Sequence, residues 1–217
     1  MIYAILFIVG LAVGSFFNVV VLRYREGGSL FAPAFRGRSR CPYCQKKLSW
    51  HELIPVVSFV VQRGRCRACG HALSWQYPLG ELLSGFIVAG VPYVFGFSFA
   101  NLMWIPAILI LFLITFIDIR LFIIPDQLSI ALMALGFIKN GIALSYLGSA
   151  VFAAALFGFL VLITKGKGMG FGDVKLAAAL GLLFGWPDIV LLVMAAFLLG
   201  GIWGALLLLI RKKTLKD

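Results

Sequence analysis

Lys165-Gly166-Lys167-Gly168-Met169-Gly170-Phe171-Gly172-Asp173-Val174-Lys175 lies between two long apolar runs, and its reading decides the architecture. Four glycines alternate through it, and an aspartate opens the apolar segment that follows. The whole chain holds only eight Asp and Glu. An ionisable group at a membrane boundary is costly and commonly functional. Glycine lets the backbone bend sharply and come close to another chain. A second aspartate stands in a similar place upstream, in Phe116-Ile117-Asp118-Ile119-Arg120. Asp118 and Asp173 together read as an acid pair at one face of a membrane.

Working outward, the chain is 217 residues long and 62% hydrophobic, with a mean hydropathy of +1.05. That excludes an ordinary soluble domain. Runs near the ~20 residues needed to cross a bilayer predict spans at 2–22, 79–97, 101–117, 127–144, 147–164, 174–186 and 187–210. The expected fold is an all-α polytopic membrane protein of seven or eight transmembrane helices with a small cytoplasmic zinc-binding domain. The parts are a first helix (1–22), a cytoplasmic region (23–78) and a bundle carrying the aspartates (79–217). The first apolar run reads as a retained helix, since no small-residue cleavage site with a soluble domain follows it.

Basic residues set the orientation. With the N-terminus outside, 23–78, 118–126, 165–173 and 211–217 face the cytoplasm. Apart from Lys139, every Lys and Arg falls in those segments or at their helix borders. The net charge of +11 is therefore mostly a topology signal, which also suits anionic lipid. Nucleic-acid binding is not expected.

All four cysteines fall in two pairs, Cys41-Pro42-Tyr43-Cys44 and Cys66-Arg67-Ala68-Cys69. Two such knuckles complete a tetrahedral Cys₄ site for structural zinc, with no open position for catalysis. Two disulfides or free thiols are the alternatives, and a reducing cytoplasm argues against the disulfides. His51 and His71 lie nearby as spare, solvent-facing residues. In the first helix, Ser15 and Asn18 share a face and read either as packing contacts or as part of a site. Pro125 and Asp126 read as a helix start. Asp118 has no such explanation, because an acid at a helix C-terminus opposes the dipole. Asp173 has the alternative role of an N-cap.

Two adjacent carboxylates cannot both ionise easily. The charged one draws a proton from water while the protonated one polarises a carbonyl. That chemistry is peptide hydrolysis. Two rival classes remain: a transporter using the aspartates as an ion site, and a non-catalytic assembly scaffold.

Gly14-Ser15-Phe16-Phe17-Asn18, the paired Cys-x-x-Cys, Glu52-Leu53-Ile54-Pro55-x-x-Ser58, Gln76-Tyr77-Pro78-x-x-Glu81, Asp118 with Pro125-Asp126, and Gly170-Phe171-Gly172-Asp173-Val174-Lys175 occur in that order. As a set they resemble the type IV prepilin peptidase family. The resemblance implies cleavage of prepilin or pseudopilin leaders at the cytoplasmic face of the bacterial inner membrane. It implies Asp118 and Asp173 as the catalytic pair of a Gly-x-Gly-Asp protease, and Cys41, Cys44, Cys66 and Cys69 as zinc ligands. It further implies methylation of the new N-terminus with S-adenosylmethionine, within type IV pilus, competence or type II secretion machinery. Some shorter relatives lack the zinc region and only cleave. Glu52, Glu81 and Asp126 become candidates for reading the basic leader, with Gly170, Gly172 and Lys175 as further substrate contacts. Two departures stand out: many members carry Arg in place of Gln76, and many are described with eight spans.

Overall fold

The computed structural model describes residues 1–209 except Gly27 and Arg36. The basic end Arg211-Lys212-Lys213, expected to anchor the C-terminus inside, lies outside the described residues. Ten α-helices run in order: α1 (Ile2–Arg23), α2 (Ala32–Phe35), α3 (Val57–Val61), α4 (Gln76–Phe95), α5 (Phe99–Leu102), α6 (Trp104–Leu121), α7 (Asp126–Asn140), α8 (Leu144–Ile163), α9 (Phe171–Phe184) and α10 (Asp188–Leu209). A 3-10 turn, Trp50–Leu53, precedes α3. Among the described residues the only β-pairing is two isolated bridges, Arg40 with Lys47 and Arg65 with Ala72. The all-helical expectation holds.

Among the described residues five segments are long and apolar enough to cross a membrane: α1, α4, α5 with α6 (Phe99–Leu121), α8, and α10. At 1.5 Å per residue each reaches close to the ~30 Å of a hydrocarbon core. Their outward apolar side chains, such as Ile8, Phe86 and Leu198, are what lipid requires of a spanning helix. The other two expected spans are shorter. α7 has 15 residues and α9 has 14, about 22 Å and 21 Å of helix.

The chain divides into two units, Met1–Leu128 and Ser129–Asp217. In the first, α1 and α4 pack backbone to backbone along a stripe of small residues, the device that lets membrane helices approach closely. A Cβ on Gly10 would stand 2.6 Å from the Ser84 carbonyl, and one on Gly14 2.7 Å from the Gly80 carbonyl. One turn further, the Asn18 amide donates to the Tyr77 carbonyl at 3.1 Å. In the second unit, Gly181 lets α9 meet α8 at Ala150, and the Asn140 amide donates to the Leu182 carbonyl at 2.8 Å. Ala153, Ala177, Ile189 and Val193 close its core.

Candidate functional site

The two cysteine pairs build the same loop twice, 25 positions apart. In the first, the Gln45 N–H donates to the Cys41 carbonyl and the Cys41 N–H to the Lys46 carbonyl. In the second, Gly70 donates to Cys66, and Cys66 to His71. The Leu48–Ser39 bond has its counterpart in Leu73–Gly64, and the bridges Arg40–Lys47 and Arg65–Ala72 also correspond. Each loop needs a left-handed residue after its second cysteine, supplied by Gly70 (φ 70) and by Gln45 (φ 58). All four sulfurs lie within 4.8 Å of one another. Cys41 and Cys69 Sγ are 4.0 Å apart, and Cys44 and Cys66 Sγ 3.9 Å. A tetrahedral thiolate site with arms of ~2.3 Å has edges of about 3.8 Å. The donor set therefore fits a metal ion, and none of the four is in a disulfide. The N–H groups of Cys69 and Ala68 pull the Cys66 thiol down to about 6, which favours the ligating thiolate. His51 and His71 are exposed and outside the cluster.

Between α1, α3 and α4 the first unit forms an open-mouthed cavity of about 140 Å³. Ser15, Asn18, Glu52, Ser58, Tyr77 and Glu81 line it, together with Cys41 and Cys66. Glu52 is buried. It accepts from the Lys46 ammonium at 3.1 Å and from the Ser49 N–H at 2.9 Å. The Ser49 N–H first, and Lys46 after it, hold its carboxyl below the ordinary range against the opposing effect of burial. Glu81 is also buried. Its Oε2 accepts the Val56 N–H at 2.7 Å, and Ser15 faces the same carboxylate. Val56 has φ 60 and ψ −51, and the Val57 N–H closes back on the Pro55 carbonyl. This is a γ-turn of the rare, strained hand, carried here by a β-branched residue. Sequence reasoning noted the polar residues of this cavity one stretch at a time and missed that they converge. The signal was that Glu52, Ser58, Tyr77 and Glu81 all flank the knuckles.

The aspartates stand elsewhere. Asp118 lies inside the last turn of α6, because that helix runs past the expected end at 117. Its stop is set by Phe122 in the left-handed region, whose N–H donates to the Asp118 carbonyl at 2.7 Å. The Asp118 side chain is exposed. On the same turn Arg120 donates to the Val21 carbonyl of α1, fixing the end of α6 against the end of α1. Asp173 is on the first turn of α9 and is not its N-cap. Gly170 takes that position, and its N–H donates to Asp173 Oδ2 at 3.1 Å. Lys165 and Gly166, both left-handed, turn the chain out of α8. Gly170 is extended (φ −83), and a Cβ there would make only ordinary contact, at 3.7 Å. Lys175 lies over the Phe171 ring. Asp126 opens α7 as expected and is exposed. The structure brings the four cysteines together, and Glu52 with Glu81 around one cavity. Asp118 belongs to the first unit and Asp173 to the second.

Comparison with known proteins gives two adjoining family matches. Residues 8–95 match the bacterial peptidase A24 N-terminal domain, and residues 105–205 match the type IV leader peptidase family. A protein of Bacillus subtilis (strain 168) is 35% identical over 209 residues, covering 93% of this chain and 82% of the relative. One from Aeromonas hydrophila is 33% identical over 239 residues, covering 96% and 82%. One from Klebsiella pneumoniae is 37% identical over 206 residues, covering 83% and 84%. All three bear the name prepilin leader peptidase/N-methyltransferase. No solved structure matches.

Proposed function

The chain belongs to the type IV leader peptidase family, and from that premise we propose that it cleaves the basic leader from prepilins or pseudopilins and then methylates the new N-terminus. Cleavage uses Asp118 and Asp173 as an acid pair. One carboxylate takes a proton from water, and the other, protonated, polarises the scissile carbonyl. The observation that carries this reading is the position of each acid at the end of an apolar helix: Asp118 one turn from the end of α6 and Asp173 in the first turn of α9. Those ends are where an apolar substrate helix, entering sideways from the bilayer, would leave its scissile bond. The fold does not require glycine at Gly170. Gly170 and Gly172 are the candidate contacts for the substrate backbone, beside Lys175. Asp126, exposed, suits contact with the basic leader.

The chain sits in the bacterial inner membrane, with the N-terminus outside and the zinc region and C-terminus inside, as the basic residues suggest. The five long spans, with the shorter α7 and α9, make the seven crossings of this topology. The four cysteines hold zinc as a structural ion. S-adenosylmethionine is the methyl donor. The partners are those of type IV pilus, competence or type II secretion machinery.

The test is the purified chain in lipid with a prepilin and S-adenosylmethionine, both products read by mass. A shortened, N-methylated pilin is expected. An unchanged substrate supports the scaffold or transporter class instead. A shortened but unmethylated one supports a leader peptidase alone. For topology, a Cys introduced at Lys167 should resist a membrane-impermeant reagent applied to intact cells.

A further inference from the structure

α1 ends at Arg23, where the chain leaves the first span. Beyond it the loop doubles back along the helix and opens a cleft that neither proposed reaction uses. We propose that this cleft, between the end of α1 and the first cysteine knuckle, binds the phosphodiester headgroup of an anionic phospholipid. Arg38 and Arg40 hold the phosphate, and Phe31 and Phe35 lie against the acyl chains.

Charge is the first argument. Arg23, Gly37, Arg38, Arg40 and Gln45 line the cleft, an open space of about 420 Å³ with no Asp or Glu in its wall. Arg23 is committed to the backbone. Its guanidinium donates to the carbonyls of Pro33 and Arg38 at 3.1 Å, of Ala34 at 3.2 Å and of Gly37 at 3.4 Å. Those bonds fold the loop around Arg23 and leave Arg38 and Arg40 in the wall of the cleft. Both are exposed, and among the described residues neither is in an ion pair. A guanidinium presents a fork of donors that matches phosphate oxygens.

Depth is the second. Phe31 precedes the short α2 and Phe35 ends it. Both rings sit against Phe16 of α1, at centroid distances of 6.3 Å and 5.3 Å. Phe16 lies about 10 Å back along the helix from Arg23, inside the first span. The loop therefore dips toward the hydrocarbon at Phe31 and Phe35. Arg38, whose carbonyl Arg23 binds, is back at the level of the helix end. Phe35 is 75% exposed and Phe31 42%. Apolar rings exposed at that depth meet acyl chains, and arginines at the helix end meet headgroups.

Each half of this arrangement narrows the ligand. A free phosphate would use the arginines and leave the rings idle. A basic leader peptide or a sulfonium donor carries the same sign of charge as the cleft and is repelled by it. A diacyl lipid with an anionic headgroup matches both halves. Bound there, it joins the end of α1 to the first knuckle, which begins at Cys41 next to Arg40. The site is independent of both reactions proposed above.

The test is native mass spectrometry of the full zinc-loaded chain in neutral detergent. The chain is titrated with phosphatidylglycerol and, separately, with phosphatidylcholine of the same acyl chains. A single phosphatidylglycerol should stay on each chain under conditions that strip phosphatidylcholine. Arg38→Gln with Arg40→Gln should weaken that retention about 30-fold, the scale of two cations facing an anionic headgroup. Arg63→Gln with Arg65→Gln removes the same charge beside the second knuckle, where both residues are exposed, and should change retention less than about 3-fold. Phe35→Ser keeps every charge and should also weaken retention; it serves if the Arg38/Arg40 variant loses zinc. Equal retention of the two lipids, wild-type retention by the Arg38/Arg40 variant or by Phe35→Ser, or an equal loss in the Arg63/Arg65 control overturns the site. Displacement of the lipid by millimolar inorganic phosphate overturns the lipid assignment, because it marks a site for a free anion.

Discussion

Four of the molecule's acids fall into two kinds of surroundings. Glu52 and Glu81 are buried in the first unit, each fixed by a backbone N–H. Asp118 is exposed on the last turn of α6 and Asp173 is half-buried at the start of α9, where its bond to Gly170 leaves one carboxylate oxygen without a described partner. Groups meant to hold a ligand gain from being fixed in advance. Groups meant to exchange protons with water need access to it. On the proposed reading the exposed pair is the one that exchanges protons with water, and the comparison breaks or sharpens in four places.

The largest effect concerns the aspartates. Asp118→Asn or Asp173→Asn should each reduce leader cleavage by ~10²–10⁴-fold, the range for a lost acid or base. Methylation of a pre-cleaved pilin should continue in both. Mass analysis of the two products checks this, and near wild-type cleavage by the double variant would remove the acid-pair reading. Asp126→Asn serves as the control and should change cleavage much less.

Next is the metal. Chelation, or Cys41→Ser, should release an ion whose binding is worth on the order of 10 kcal/mol in comparable thiolate sites. Hydrogen exchange should then rise across residues 25–78 while the long spans stay protected. A chain with no bound zinc and four freely alkylated thiols would end the zinc assignment.

A smaller effect is expected from acid. The Glu52 carboxyl is depressed by the Ser49 N–H and by Lys46. Its contribution to stability is therefore complete above the unfolded carboxyl value of ~4.3 and is lost as pH falls through the lower folded value. Unfolding of the cysteine module followed from neutral pH to pH 2 should show this loss, and Glu52→Gln should flatten it. The smallest effect is at Gln45, which is left-handed where the second knuckle has Gly70. Gln45→Gly should stabilise the module by about 1 kcal/mol, read as greater resistance to chelator.

What the sequence made legible follows from the range of each signal. The cysteine site was readable because ligand identity and knuckle spacing are local. Apolar length gave the five long helices for the same reason. Helix ends were not readable from charge. Asp118 looked like the end of a helix, but the stop is set by the backbone of Phe122. A cap was the alternative role for Asp173, but Gly170 takes that place. α7 stops at Asn140, short of its expected end at 144, and α9 runs 171–184 where 174–186 was expected, for the same reason: capping and turn geometry decide where a helix starts and stops. The cavity was invisible because four separated stretches assemble it, and its main anchor is a backbone N–H, that of Val56.

The metal cluster also bears on how the first two long helices find each other. α1 and α4 meet along glycines that leave no room for a side chain, yet the chain between Arg23 and Gln76 is long and mostly irregular. Bringing Cys41 against Cys69 removes the 28-residue separation between them from that tether. A shorter tether raises the effective concentration of one helix end near the other and lowers the entropy lost when they dock. With a metal ion bound, the cysteine knuckles would work as a clasp. During membrane insertion, metal availability would set how quickly α4 settles onto an α1 that is already in the bilayer.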